Sequence, residues 1–232
     1  MPLIDIVGDA AIQAGLSPPS VAASSTDQTA VELVHFANLA VRELRAWHDW
    51  SALSITGTIT GDGVTTEWAT PADFDRLSKG QAVQKSNGTF FRLYGPLNAA
   101  QRTDWRARNV VQTNEVFWFG GGKIVISPAL AAGVEALYDY QSKYAVRPSG
   151  NADKEKFTLD NDVCLIDEDL VALCTLWMWK RSKGLDYAQE YDAYRQRAQL
   201  LAGRDGSLQP VATGFMRDDL PDVFVPDTIT VP

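Results

Sequence analysis

The chain has 232 residues, 45% of them hydrophobic, and a formal net charge of −8, enough to bury one medium core or a core with an inserted lobe. The acidic balance argues against DNA binding through a broad cationic face and suits a surface past which DNA moves without sticking. No apolar run approaches the ~18 residues that span a bilayer, and the first residues, with Asp5 and Asp9, lack a basic signal-peptide start, so folding in a cytoplasm without a membrane partner is expected.

Leu3 to Leu16 alternates apolar and polar residues at helical spacing and is closed by Gly15 and Pro18-Pro19, which predicts a short helix. After the small-residue linker from Ser20 to Thr26, Asp27 can cap a long helix. One of its faces carries Val34, Ala37, Val41 and Leu44, with Leu33, Phe36, Ala40 and Trp47 beside it. From Leu53 the period changes to two: Leu53, Ile55, Gly57 and Ile59 alternate with serine and threonine. Gly61-Asp62-Gly63 then predicts a turn back into Val64 to Trp68, giving a β-hairpin with one wet face.

Further strands are predicted at Thr89 to Tyr94, Glu115 to Phe119, Lys123 to Ser127 and Val134 to Tyr140, with Gly120-Gly121-Gly122 as a turn. Residues 147–158 are charged and turn-rich and read as a solvated connection. Asp167 can cap the next helix, which has Glu168 and Asp169 in its first turn, two apolar stripes through Leu170, Leu173, Trp177 and Val171, Cys174, Met178, and a basic end before Gly184. A last helix repeats Tyr187, Tyr191, Tyr194, Ala198 and Leu201 as a narrow seam, so the pair reads as a helical hairpin.

Beyond Gly203, Pro210, Pro221, Pro226 and Pro232 punctuate short apolar groups and oppose local helix or sheet. Such a tail is either disordered or an extended arm that finds partners on another chain. The candidate partner-binding residues are Phe215, Leu220, Val223, Phe224, Val225 and Ile229. The expected fold class is α+β: N- and C-terminal helices form a bundle, an antiparallel β-lobe is inserted, and an arm extends from the C-terminus. The corresponding divisions are 1–52, 53–146, 147–203 and 204–232.

Catalytic signals are sparse. His35 and His48 lack a His-Glu-x-x-His pattern, and His48-Asp49 has no Gly-x-Ser-x-Gly nucleophile elbow to serve. Gly120-Gly-Gly-Lys123 lacks phosphate-loop spacing and suits a hairpin better. Asp160, Asp162, Asp167, Glu168 and Asp169 form an acidic cluster without calcium-loop spacing, and capping accounts for the last three. No catalytic residue, metal ligand or cofactor is assigned. Cys164 and Cys174 are too few for a disulfide framework and read as reduced, structural residues. Lys180-Arg-Ser-Lys183 with Arg195, Arg197 and Arg204 is the one cationic concentration, read first as a solvated helix end. Trp105, Phe117, Trp118, Phe119, Tyr138 and Tyr140 suit sheet core or subunit contact better than a sugar platform.

The helical pair from Asp160 to Gly206, with its Lys-Gly-Leu-Asp-Tyr-Ala turn, resembles the C-terminal part of the head-to-tail connector adaptors of tailed bacteriophages. Arg42-Glu-Leu-Arg-Ala-Trp-His-Asp-Trp50 and Thr70-Pro-Ala-Asp-Phe-Asp-Arg-Leu77 resemble that family's W-x-x-W element and its Pro-x-Asp-Phe-x-Arg segment. The resemblance implies a non-enzymatic virion protein that forms a twelve-subunit ring on the portal, receives a downstream tail component, and lets DNA pass through its lumen. Two other classes remain open: a tail-associated cell-wall hydrolase using a pair among Asp160, Asp162, Glu168 and Asp169, and a glycan-binding tail module using the lobe aromatics.

Overall fold

The computed structural model describes residues 1–80, 82–86, 90–107, 114–150 and 152–206. Two helices open the chain, α1 (Leu3–Gln13) and α2 (Gln28–Trp47). Gly15, at φ +74°, lets the chain turn out of α1, and the Asp27 carboxylate accepts from the Ala30 N–H to start α2. The other bundle helices are α4 (Glu168–Ser182) and α5 (Ala188–Gly206); α3 belongs to the lobe described below. Asp167 caps α4 through the Leu170 N–H at 3.0 Å, and Gly184, at φ +68°, closes it.

Packed against α1, α2 and α5, α4 is buried nearly all round, from Leu170 through Cys174 and Leu176 to Trp179. A helix apolar on every side is a central helix, and its caps and charges lie at its two ends. Leu3, Ile6, Leu33, Val41 and Leu44 complete the core around it. Trp47, expected on the inner side of α2, is instead 43% exposed, whereas Arg45 is buried.

Between the two helical halves lie β1 (Ser54–Thr60), β2 (Glu67–Ala69), β3 (Phe74–Leu77), β4 (Gln84–Ser86), β5 (Phe90–Arg92), α3 (Ala99–Ala107), β6 (Val116–Gly120), β7 (Lys123–Ser127) and β8 (Glu135–Ser142). A short pair, β9 (Val146–Arg147) and β10 (Val163–Cys164), follows. In the larger sheet β8 is central: β1 lies antiparallel along one side, β3 and β4 along the other, and β5 beyond β4. A second sheet runs β2-β7-β6, and the expected Gly120–Gly122 turn joins its β6–β7 hairpin. Phe117, Ile124, Ile126, Leu130, Tyr138 and Tyr140 fill the lobe's own core. With helices and antiparallel sheets segregated along the chain, the fold is α+β.

Two local expectations are corrected. β1 and β2 do not form a hairpin, because they lie in different sheets. Asp62 does hold a turn, accepting from the N–H groups of Val64 and Thr65, but the Gly61 N–H donates to the Val134 carbonyl and that of Gly63 to Leu130. The turn is therefore pinned on the 130–134 loop, and the chain leaves it for β7. The 147–158 connection is also not simply solvated. Phe157 is buried, and its backbone N–H donates to Asn38 Oδ1 on α2 at 2.8 Å.

Candidate interaction surfaces

The three segments that carry the family resemblance converge where bundle and lobe meet. Trp50 is buried, and its indole N–H donates to the Leu44 carbonyl at 2.9 Å, so the chain leaving α2 folds back along the helix end. Arg76, on β3, donates through Nη2 to the carbonyls of Arg45 and His48 and to Asp49 Oδ1, at 2.8, 3.2 and 2.7 Å. A fixed cation thus meets the negative end of α2. Burial opposes ionisation of Asp49, but the Lys79 N–H and the Arg76 guanidinium outweigh it and hold the carboxyl below the usual range.

Asp205, near the end of α5, closes the junction from the other side. It accepts from both the N–H and the hydroxyl of Ser51, and its carboxylate lies 3.6 Å from His48 Nε2. Arg45 donates to the Lys143 carbonyl at 2.6 Å, and Asp73 accepts from the Tyr140 hydroxyl at 3.0 Å. Sequence reasoning passed over Arg45 and Asp205; neither sits in a local pattern that announces its long-range partner.

A groove of about 570 Å³ runs between α2, α4 and α5. Phe36, Leu39, Trp177, Met178, Tyr191 and Tyr194 give it an apolar lining, and Glu43 and Arg181 lie at its polar margin. The Trp177 ring meets Tyr191 edge-on at 5.2 Å and Tyr194 at 5.9 Å. The predicted seam between the last two helices therefore exists, although its first half is open: Tyr191 is 36% exposed.

Most of the acidic residues considered for catalysis or metal binding hold the fold together. Asp160 accepts from the N–H groups of Ala22 and Ala23, fastening the 20–26 linker. Asp162 is fully buried and accepts from the N–H groups of Thr158 and Leu159 and from Lys154 Nζ. Burial pushes its pKa up, but Lys154 and the two amides outweigh this and lower it. Glu168 pairs with the N-terminal ammonium, while Asp167 and Asp169 pair with Arg197. Among the described residues no group of three or more histidine, cysteine, aspartate or glutamate side chains is placed to hold a metal ion. His48 does not orient against Asp49, whose carboxylate is engaged by Arg76 and Lys79.

The cationic concentration is largely neutralised: Lys180 pairs with Glu190, Lys183 with Glu32, and Arg197 with the two aspartates. Phe117, Trp118, Tyr138 and Tyr140 are buried, and Phe119 stacks on Phe74 at 5.1 Å, so these lobe aromatics are core residues and form no open platform. Trp105 lines a separate cleft of about 740 Å³ with Lys85, Arg92, Tyr94, Asp104 and Glu115. Both cysteines are buried and form no disulfide, and burial pushes each thiol up to about 12. Phe215, Leu220, Val223, Phe224, Val225 and Ile229 lie outside the described residues.

A family model described as SU10 adaptor protein matches residues 1–217. No curated protein matches the chain.

Proposed function

Because this chain belongs to the SU10 adaptor protein family, a family of phage head-to-tail adaptors, we propose that it assembles as a ring, of twelve copies as the resemblance implies, between the portal and the next tail component. The match over 1–217 carries this reading, since it spans all three resembling segments and the junction in which they meet. Its role is assembly, without an enzymatic step. Ring contacts and the docking of the downstream protein use the outer faces of bundle and lobe, and the formal charge of −8 keeps transiting DNA mobile in the lumen. Assembly takes place in the host cytoplasm, and the product resides at the head-tail interface of the virion.

The arm adds attachment. Phe215, Leu220, Val223, Phe224, Val225 and Ile229 are more apolar than a spacer needs, and they bury against the portal or a neighbouring adaptor. Ordering an arm costs ~1–2 kcal/mol per residue in backbone entropy, so several such side chains, at about 1.5–3 kcal/mol each, must be buried together. Binding of full-length and 207–232-deleted protein to purified portal tests this. The deletion should leave the melting curve nearly unchanged and weaken attachment roughly tenfold or more. Equal affinities would reduce the arm to a passive tail, and an unfolded truncation would make it part of the core.

A further inference from the structure

Among the described residues β1 is a free edge of the larger sheet. Its antiparallel register with β8 runs from Ser54↔Gln141 to Thr60↔Glu135, and the Gly61 N–H continues it by donating to Val134. In that register the odd-numbered residues of β1 turn their backbone groups toward β8, and Thr56, Thr58 and Thr60 turn theirs outward. Among the described residues no backbone hydrogen bond meets these three. The strand is exposed at Thr56, Thr58 and Thr60, and Ile55 is 41% exposed.

Natural sheets usually blunt such an edge with a charge, a proline, a bulge or extreme shortness. β1, SITGTIT, has seven residues, no charge and no proline. The outer edge of β6, by contrast, is covered by the 94–97 segment, through the bonds Phe117 N–H to Tyr94 O and Leu97 N–H to Phe117 O.

We infer that the free edge of β1 receives residues 227–231 from the arm of a neighbouring copy as an added antiparallel or parallel strand. That segment, Asp-Thr-Ile-Thr-Val, is the β-branched, proline-free run bounded by Pro226 and Pro232, and it resembles β1 itself in composition. The arm also starts in the right place. Asp205 holds Ser51, three residues before β1, so every copy presents its edge and releases its arm at one corner. Residues 207–226 reach up to about 65 Å when extended, far beyond what the copy's own adjacent edge requires and enough to cross to a neighbour. Donating a strand to a different surface on the next copy is a head-to-tail contact, the kind that closes a ring. The inference rests on the ring reading for its neighbouring copies.

Hydrogen exchange of portal-bound full-length protein, compared with the 227–232 deletion and with dilute free full-length protein, tests it. The amides of Thr56, Thr58 and Thr60 should exchange roughly tenfold or more slowly only in the full-length assembly. Thr58→Pro removes one outward N–H while sparing the β8 ladder, and should lower adaptor–adaptor association with a nearly unchanged melting curve. Exchange at β1 that is indifferent to the deletion would overturn the inference, as would protection already present in the dilute free chain, which would make the donor the same copy. Portal retention, measured on these samples and on the 207–232 deletion, keeps the two readings apart. If deleting 207–232 releases the portal while β1 exchange is unaffected, the arm still docks and only its β1 acceptor is wrong; unchanged retention would count against arm docking itself.

Discussion

Arg76 joins two segments that are separate in sequence, and its guanidinium has few substitutes. Arg76→Ala would leave Asp49 with only the Lys79 N–H as donor and two helix-end carbonyls without the guanidinium, and is expected to cost about 2–3 kcal/mol, read as a lowered melting temperature. Asp49 and Asp162 both have folded pKa values depressed below their ordinary 3.8. Their contribution is therefore complete above that value and is lost as the pH falls through the folded values. Stability should fall below about pH 4, and Asp49→Asn or Asp162→Asn should flatten the fall in acid titrations followed by circular dichroism. Burial also ranks two aromatic and aliphatic truncations in an order that the sequence alone reverses. Trp177 reads from its stripe as a core anchor, but it lies half-buried at the groove, whereas Leu176 is 1% exposed. Leu176→Ala should cost about 2–5 kcal/mol and exceed the loss from Trp177→Ala, which falls below the about 3–5 kcal/mol of a fully buried aromatic because part of the ring already faces water at the groove. The opposite ranking in thermal melts would mean that the groove is closed by something tightly bound.

At the scale of elements, a glycine fixes how β1 lies on β8. Gly57 sits opposite Tyr138, whose ring occupies the space a Cβ would need, with Cζ only 2.4 Å from that position. Gly57→Ala should destabilise the lobe by about 1–3 kcal/mol through overpacking, visible as an earlier thermal transition, and Tyr138→Ala should relieve the clash. The elements most legible in the sequence were those with local signals. Asp27 and Asp167 wrote out two helix starts, Gly184 an end, and the glycine run 120–122 a hairpin. What was hidden depended on partners far away in the chain: β1 chose β8 over β2 because β8 brings Ala136, Tyr138 and Tyr140 to the core. α3 buries no residue and so shows no apolar stripe, yet it carries a capping box in which Asn98 and Gln101 exchange side-chain and backbone bonds at 2.9 Å. That signal was present and was missed. The groove was half legible: the tyrosine seam of α5 is written in its spacing, while the exposure of Tyr191 is not.

At the scale of the whole molecule, two cores meet at a polar junction made by Arg76, Asp49, Ser51 and Asp205, and the arm departs from that same junction. In the proposed assembly these subunits close as a ring on a portal. Negative-stain imaging of the purified full-length protein, with and without purified portal, tests it most directly. Portal particles capped by an added ring of adaptor density at the tail-proximal end are expected. Isolated monomers that never associate with portal, even at high concentration, would contradict it.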